Sequence, residues 1–190
     1  MKGRDELRAE VLEFLARLDE HLEVPEPIDV YIGGGAAVLL AYEGQLATVD
    51  VDFIGQKAGV LLELSELAKK NSAIHESTHL YLDIVPPGLF PSDFGWKNRT
   101  LVLDLPKLNK MRVRVLEIHD LIISKLKRFA PKDRQDIRAL CETHDVDIAT
   151  LRARYRGARQ LRDYDEREKM DAHFRVVEAE YLGHEPSVFE

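Results

Sequence analysis

The sequence predicts an α/β (α+β) protein, with a short mixed sheet and flanking helices over residues 1–116 and a helical bundle over residues 117–190. Three observations carry that expectation. Strand-type and helix-period runs alternate as far as Leu116, only helical periodicity remains beyond Glu117, and glycine or proline punctuates the junctions of the first part.

Leu7, Val11, Phe14, Leu15, Leu18 and Leu22 recur at helical spacing, so a helix is expected from about Arg4 to Leu22, ended by Pro25 and Pro27. Ile28 to Ile32 is β-branched and aromatic and reads as a strand. Gly33-Gly34-Gly35 breaks it, and Ala36 to Tyr42 opens a helix. A second strand, Val49 to Ile54, is followed by a helix from Gly59 to Lys70 that stops near Asn71-Ser72. The third strand, Leu80 to Val85, ends at Pro86-Pro87, because proline gives no donor to a sheet ladder. Phe90 to Asn98 reads as an aromatic loop, and Leu101 to Leu105 with Met111 to Leu116 as a strand pair across a Pro-Lys-Leu-Asn-Lys turn. Helices are then expected over 118–129, 133–142, 147–156 and 163–182.

Of the 190 residues, 45% are hydrophobic and 32% charged, as in an ordinary soluble protein. No apolar run reaches the roughly 18 residues needed to span a bilayer, and the charged N-terminus has no signal-peptide core, so a cytoplasmic protein without membrane contact is expected. The single cysteine, Cys141, reads as a small apolar filler on a helix. A net charge of −7 argues against nucleic-acid binding by the surface as a whole and leaves room for local basic patches.

Strand residues two apart share a face, so Asp50 and Asp52 present two carboxylates side by side while Val49, Val51 and Phe53 point the other way. Like charges so placed repel, and a divalent cation relieves them. Taken alone, an Asp-x-Asp pair also fits a solvated strand face. The glycine run stands at a strand-to-helix junction, where a phosphate can approach bare backbone N–H groups, although a tight turn needs the same residues. Asp83 is an isolated acid among Leu, Tyr, Ile and Val, costly to bury without a cation or a partner and harmless on a solvated edge.

Together these segments resemble a known pattern. Gly33-Gly34-Gly35-Ala36, a short helix and Thr48-Val49-Asp50-Val51-Asp52-Phe53 resemble the signature of the DNA polymerase β-type nucleotidyltransferases, with Asp83 matching the third carboxylate. The subgroup the chain most resembles is the bacterial AbiEii-like and MenT-like enzymes, many of them toxins of toxin–antitoxin or abortive-infection systems. There a lysine-bearing helix precedes an Arg/Lys-Asp-x-x-Asp helix, and here Lys125 precedes Lys132-Asp133 and Asp136; the likeness spans roughly residues 28–140. Leu46 departs from it, standing where many relatives carry an arginine two residues before Thr48.

The resemblance implies a polymerase β-type core that moves a nucleoside monophosphate from an NTP to an acceptor: RNA, tRNA or protein. It implies Mg²⁺ held by Asp50 and Asp52 in a two-metal site, with Asp83 helping the second ion or serving as base. Gly33, Gly34 and Thr48 would position the β- and γ-phosphates, Lys125 would neutralise them, and an antitoxin protein would be a partner. The rival expectation is a non-catalytic nucleotide- or RNA-binding module that kept the fold.

Two signals compete. His75-Glu76-Ser77-Thr78-His79 matches the His-Glu-x-x-His zinc pattern, yet Asn71-Ser72 ends the preceding helix and His79 runs into a strand, so the pair is expected to be ordinary loop histidines. Arg152, Arg154, Arg156, Arg159, Arg162 and Arg167, with Lys107, Lys110, Arg112 and Arg114, offer either a basic surface for RNA or solvated faces paired with Asp163, Asp165 and Glu166. Asp136 is expected to pair with a neighbouring cation rather than to touch substrate.

Overall fold

The computed structural model describes residues 3–42, 48–87, 90 and 92–189. The chain condenses into two compact units, Met1–Phe90 with Thr100–Leu116, and Pro91–Arg99 with Glu117–Glu190. No helix among the described residues is long and apolar enough to cross a membrane.

In the first unit, α1 (Arg4–His21) buries Val11, Phe14, Leu15 and Leu18. It packs against α2 (Gly34–Ala41), whose Ala36 to Leu40 are buried throughout. The strands are β1 (Ile28–Ile32), β2 (Asp50–Ile54), β3 (Tyr81–Val85), β4 (Leu101–Val102) and β5 (Met111–Val115), in the order β3-β2-β1-β5-β4. The sheet is mixed: β1 runs parallel to β5 and β2 parallel to β3, while β1–β2 and β4–β5 are antiparallel. Val51 and Phe53 are buried below it with Ile32, Val113 and Val115. The turn into β5 is tied to α1, because the buried Asp19 carboxylate accepts from the backbone N–H groups of Asn109, Lys110 and Met111 at 3.0, 2.8 and 2.7 Å.

Several boundaries differ from expectation. The first strand is as expected, but α2 begins two residues early, inside the glycine run. The expected helix from Gly59 to Lys70 is α3 (Gly59–Leu67), and a separate α4 (Ala73–Thr78) follows it. Asn71 adopts φ 65, and the Ser72 hydroxyl accepts from His75 N–H at 3.2 Å, restarting the helix that the sequence was expected to leave as loop. The strand expected over Leu101 to Leu105 shortens to β4 ahead of Pro106.

The second unit begins with α5 (Trp96–Arg99), a turn of helix inside the expected aromatic loop. It continues with α6 (Ile118–Leu126), α7 (Pro131–Thr143), α8 (Ile148–Gln160), α9 (Tyr164–Val176) and a π-helical turn, Val177–Tyr181. Carboxylates start three of these helices: Glu117 accepts from His119 N–H, Asp147 from Thr150 N–H and Asp163 from Glu166 N–H. Pro131 opens α7 at the first helical position, where a missing N–H does no harm. The core is Leu121, Ile122, Leu126, Ile137, Leu151 and Phe174, with Tyr155 stacked on Phe174 at 4.1 Å.

Candidate active site

Parallel pairing sets Asp52 opposite Asp83 and Asp50 opposite Tyr81. Strands in a ladder lie about 4.8 Å apart and partners in register point to one face, so Asp50, Asp52, Tyr81 and Asp83 share a single surface of the sheet. The burial pattern agrees, since Val51, Phe53, Leu82 and Ile84 are buried while the three acids are half-buried or exposed. Two carboxylates about 5 Å apart repel by about 1 kcal/mol in water and about 3 kcal/mol at an effective dielectric of 20. The face therefore favours a cation.

Gly33 and Gly34 close the other side of Asp52. Gly33 N–H donates to the Asp52 carbonyl at 3.0 Å, tying the glycine turn to β2. Gly34 has φ +60, and a Cβ built on it would lie 1.8 Å from Asp52 Oδ2. Only glycine leaves room for that carboxylate at the start of α2, where the helix dipole favours negative charge.

Thr48 takes a role the sequence did not suggest. Its hydroxyl lies 3.0 Å from Asp50 Oδ1 and 2.9 Å from the Asp50 carbonyl, so it orients the first carboxylate. Tyr81 was missed altogether. Burial, the charges of Asp50, Asp83 and Asp52, and a hydrogen bond to Asp50 push its phenol above the ordinary range, so it stays protonated at neutral pH. His75 meets its ring edge-on at 5.8 Å and Lys70 Nζ lies 5.9 Å from the ring centre. The signal for Tyr81 was present in the period of two that places it on the face of Asp83.

The donor set is entirely carboxylate oxygen, which suits a hard divalent cation. Among the described residues no three His, Cys, Asp or Glu side chains are grouped to hold a metal by themselves. Mg²⁺ commonly takes only one or two protein carboxylates and completes its shell with substrate phosphates and water, and Asp50 with Asp52 fit that pattern.

Lys125 belongs to the second unit, where it is buried, with its ammonium 2.5 Å from Asp136 and 4.0 Å from Asp133. Leu46 lies outside the described residues. His75 does lie on a helix, correcting the expected loop, but His79 is its C-cap at φ 60, so the helix ends before the second imidazole of the zinc pattern. The arginine run is largely neutralised inside its own unit: Arg152 by Glu178, Arg154 by Glu117 and Asp120, Arg159 by Asp171, and Arg162 weakly by Glu166.

The profile of a family described as "Nucleotidyltransferase of unknown function (DUF6036)" matches residues 9–182, and the chain belongs to that family. No curated protein and no solved structure matches it.

Proposed function

We propose that this member of a nucleotidyltransferase family moves a nucleoside monophosphate from an NTP to an acceptor hydroxyl, using Asp50 and Asp52 as ligands of Mg²⁺ and Asp83 as the base. The observation that carries this reading is the register of β2 and β3, which sets Asp83 beside Asp52 on one face, at the mouth of the Gly33–Gly34 turn. Bound Mg²⁺ supplies charge stabilisation for the attacking and leaving oxygens of an in-line displacement. Thr48 holds Asp50 in its ligating position, and the bare backbone at Gly33 and Gly34 admits the phosphates to the start of α2. Asp83 takes the proton of the acceptor hydroxyl as its oxygen bonds to the α-phosphorus. The bond from that phosphorus to the β-phosphate bridge breaks, and pyrophosphate leaves with the electron pair.

The likeness to AbiEii-like and MenT-like enzymes supports RNA or tRNA as acceptor and a toxin role with a protein antitoxin. A second reading, a nucleotide-binding module without catalysis, is favoured by Leu46 in place of the relatives' arginine. The two separate on incubation with each radiolabelled NTP, Mg²⁺ and total RNA or protein. Label transfer from one NTP is expected; silence with every NTP and acceptor moves the chain to the second reading.

A further inference from the structure

Most arginines of the second unit are held by carboxylates, and two on one face of α7 are not. Among the described residues Arg134 and Arg138 make no ion pair; each guanidinium lies against an aromatic ring instead, Arg134 at 5.9 Å from the centre of Phe129 and Arg138 at 4.9 Å from that of Tyr181. With Gln135 and Glu180 they line a cavity of about 380 Å³. Phe129 has φ +49, a strained conformation for a bulky side chain and one that persists only where the surroundings impose it. They do so here. Its ring stacks on His173 at 4.5 Å, and His173 is fixed by an Nδ1–H bond of 2.6 Å to the Leu126 carbonyl. Tyr181 ends the π-helical turn, a distortion that recurs at functional sites.

Both guanidinium groups are exposed and held by no carboxylate among the described residues, so their N–H forks are available for bidentate contact with a phosphate. Residues one turn apart have Cβ atoms about 5–6 Å apart, so both forks can reach one phosphate or two successive ones in a strand. Tyr181 lines the same cavity and is only half-buried, which leaves ring surface beside the arginines for a contact indifferent to base identity. We infer that Arg134 and Arg138, beside Phe129 and Tyr181, form a binding site for the phosphodiester backbone of single-stranded RNA. This deepens the acceptor assignment and rests on the reading given under Proposed function, but it is tested by binding alone. Glu180, exposed at the same cavity, opposes the ligand's charge and sets the sign of one test.

The test is anisotropy of a fluorescein-labelled single-stranded RNA oligonucleotide with the full chain, in EDTA so that no transfer occurs. Arg134→Gln with Arg138→Gln is expected to weaken binding at least about tenfold and to flatten the slope of log K against log salt by about 1.4, two contacts at about 0.7 each. Glu180→Gln is expected to tighten binding a few-fold, a result that a purely structural role for this residue does not give. Unchanged affinity and slope in the double variant, no RNA binding by the wild type, or tighter binding of a phosphotyrosine peptide than of RNA each overturns the inference. Binding that responds as expected in a protein that transfers no label overturns the transferase reading and leaves this one standing.

Discussion

The two units use acidic residues in opposite ways. In the α/β unit Asp50, Asp52 and Asp83 gather on one face of the sheet, and among the described residues neither Asp50 nor Asp83 makes an ion pair. In the helical unit Asp120, Asp136 and Glu178 are buried and matched with cations. Asp120 accepts from Arg99, Arg154 and Ser92, Asp136 from Lys125, and the fully buried Glu178 from Arg152 and from the backbone and hydroxyl of Ser187. A paired, desolvated acid holds a fold together. Carboxylates gathered on one face repel and destabilise slightly unless a cation relieves them.

That contrast can be broken most directly at Asp83. Asp83→Asn keeps the size and removes the charge, and it is expected to lower label transfer at least about a hundredfold, the scale of losing a general base, with little change in NTP binding or melting temperature. A rate near that of the wild type would move the third carboxylate elsewhere. Asp136→Ala should do the reverse. It strands the Lys125 ammonium in the core and should destabilise by about 3–5 kcal/mol in denaturant titration, whereas Lys125→Met with Asp136→Leu should restore much of the loss.

Ligand response comes next in size. Mg²⁺ or Mn²⁺, more so with an NTP, should raise the melting temperature of the wild type and not of Asp50→Ala with Asp52→Ala, since only a ligand of the folded state stabilises. A shift that survives in that variant places the metal at another site.

A smaller effect should appear in acid. Burial by itself would raise the carboxyl of Asp133, but Arg128, Lys125 and the Ala130 N–H outweigh it and hold it below its ordinary value. His119 and Arg154 do the same for the half-buried Glu117. Folded values below the unfolded ones mean that this stability is present above about pH 4 and is lost as pH falls through the folded values. Melting followed from pH 6 down to 2 should show that loss, and Asp133→Asn should flatten it. The smallest expected effect is at Cys141, whose thiol burial pushes up to about 12, so alkylation at pH 8 should be far slower than for a free cysteine.

Much of the α/β unit was legible because its signals are local. The glycine run, the alternation through Asp50 and Asp52 and the prolines after Val85 act within a few residues, and the strands they imply are there. What the sequence could not show is what depends on partners distant along the chain. The register of Asp52 with Asp83 joins residues 31 apart, and the edge of Tyr81 against His75 depends on a six-residue helix too short to display a period. Lys125 shows the same limit: its pairing with Asp136 appears only once α7 is placed against α6. Thr48 was legible as a residue of the motif and illegible as the group that orients Asp50, because that contact is a matter of rotamers.

The 1.8 Å between Asp52 Oδ2 and a notional Cβ on Gly34 also bears on how this lineage can change. While Asp52 keeps its present rotamer, any replacement at Gly34 collides with it, whatever the new side chain. Once Asp52 is lost the collision disappears, and with φ +60 asparagine or aspartate becomes tolerable there. The order of substitution is therefore constrained, carboxylate first and glycine second. Relatives that have lost Asp52 should show drift at Gly34, and an aligned set of relatives in which glycine varies while the aspartate stays would contradict this account of the turn.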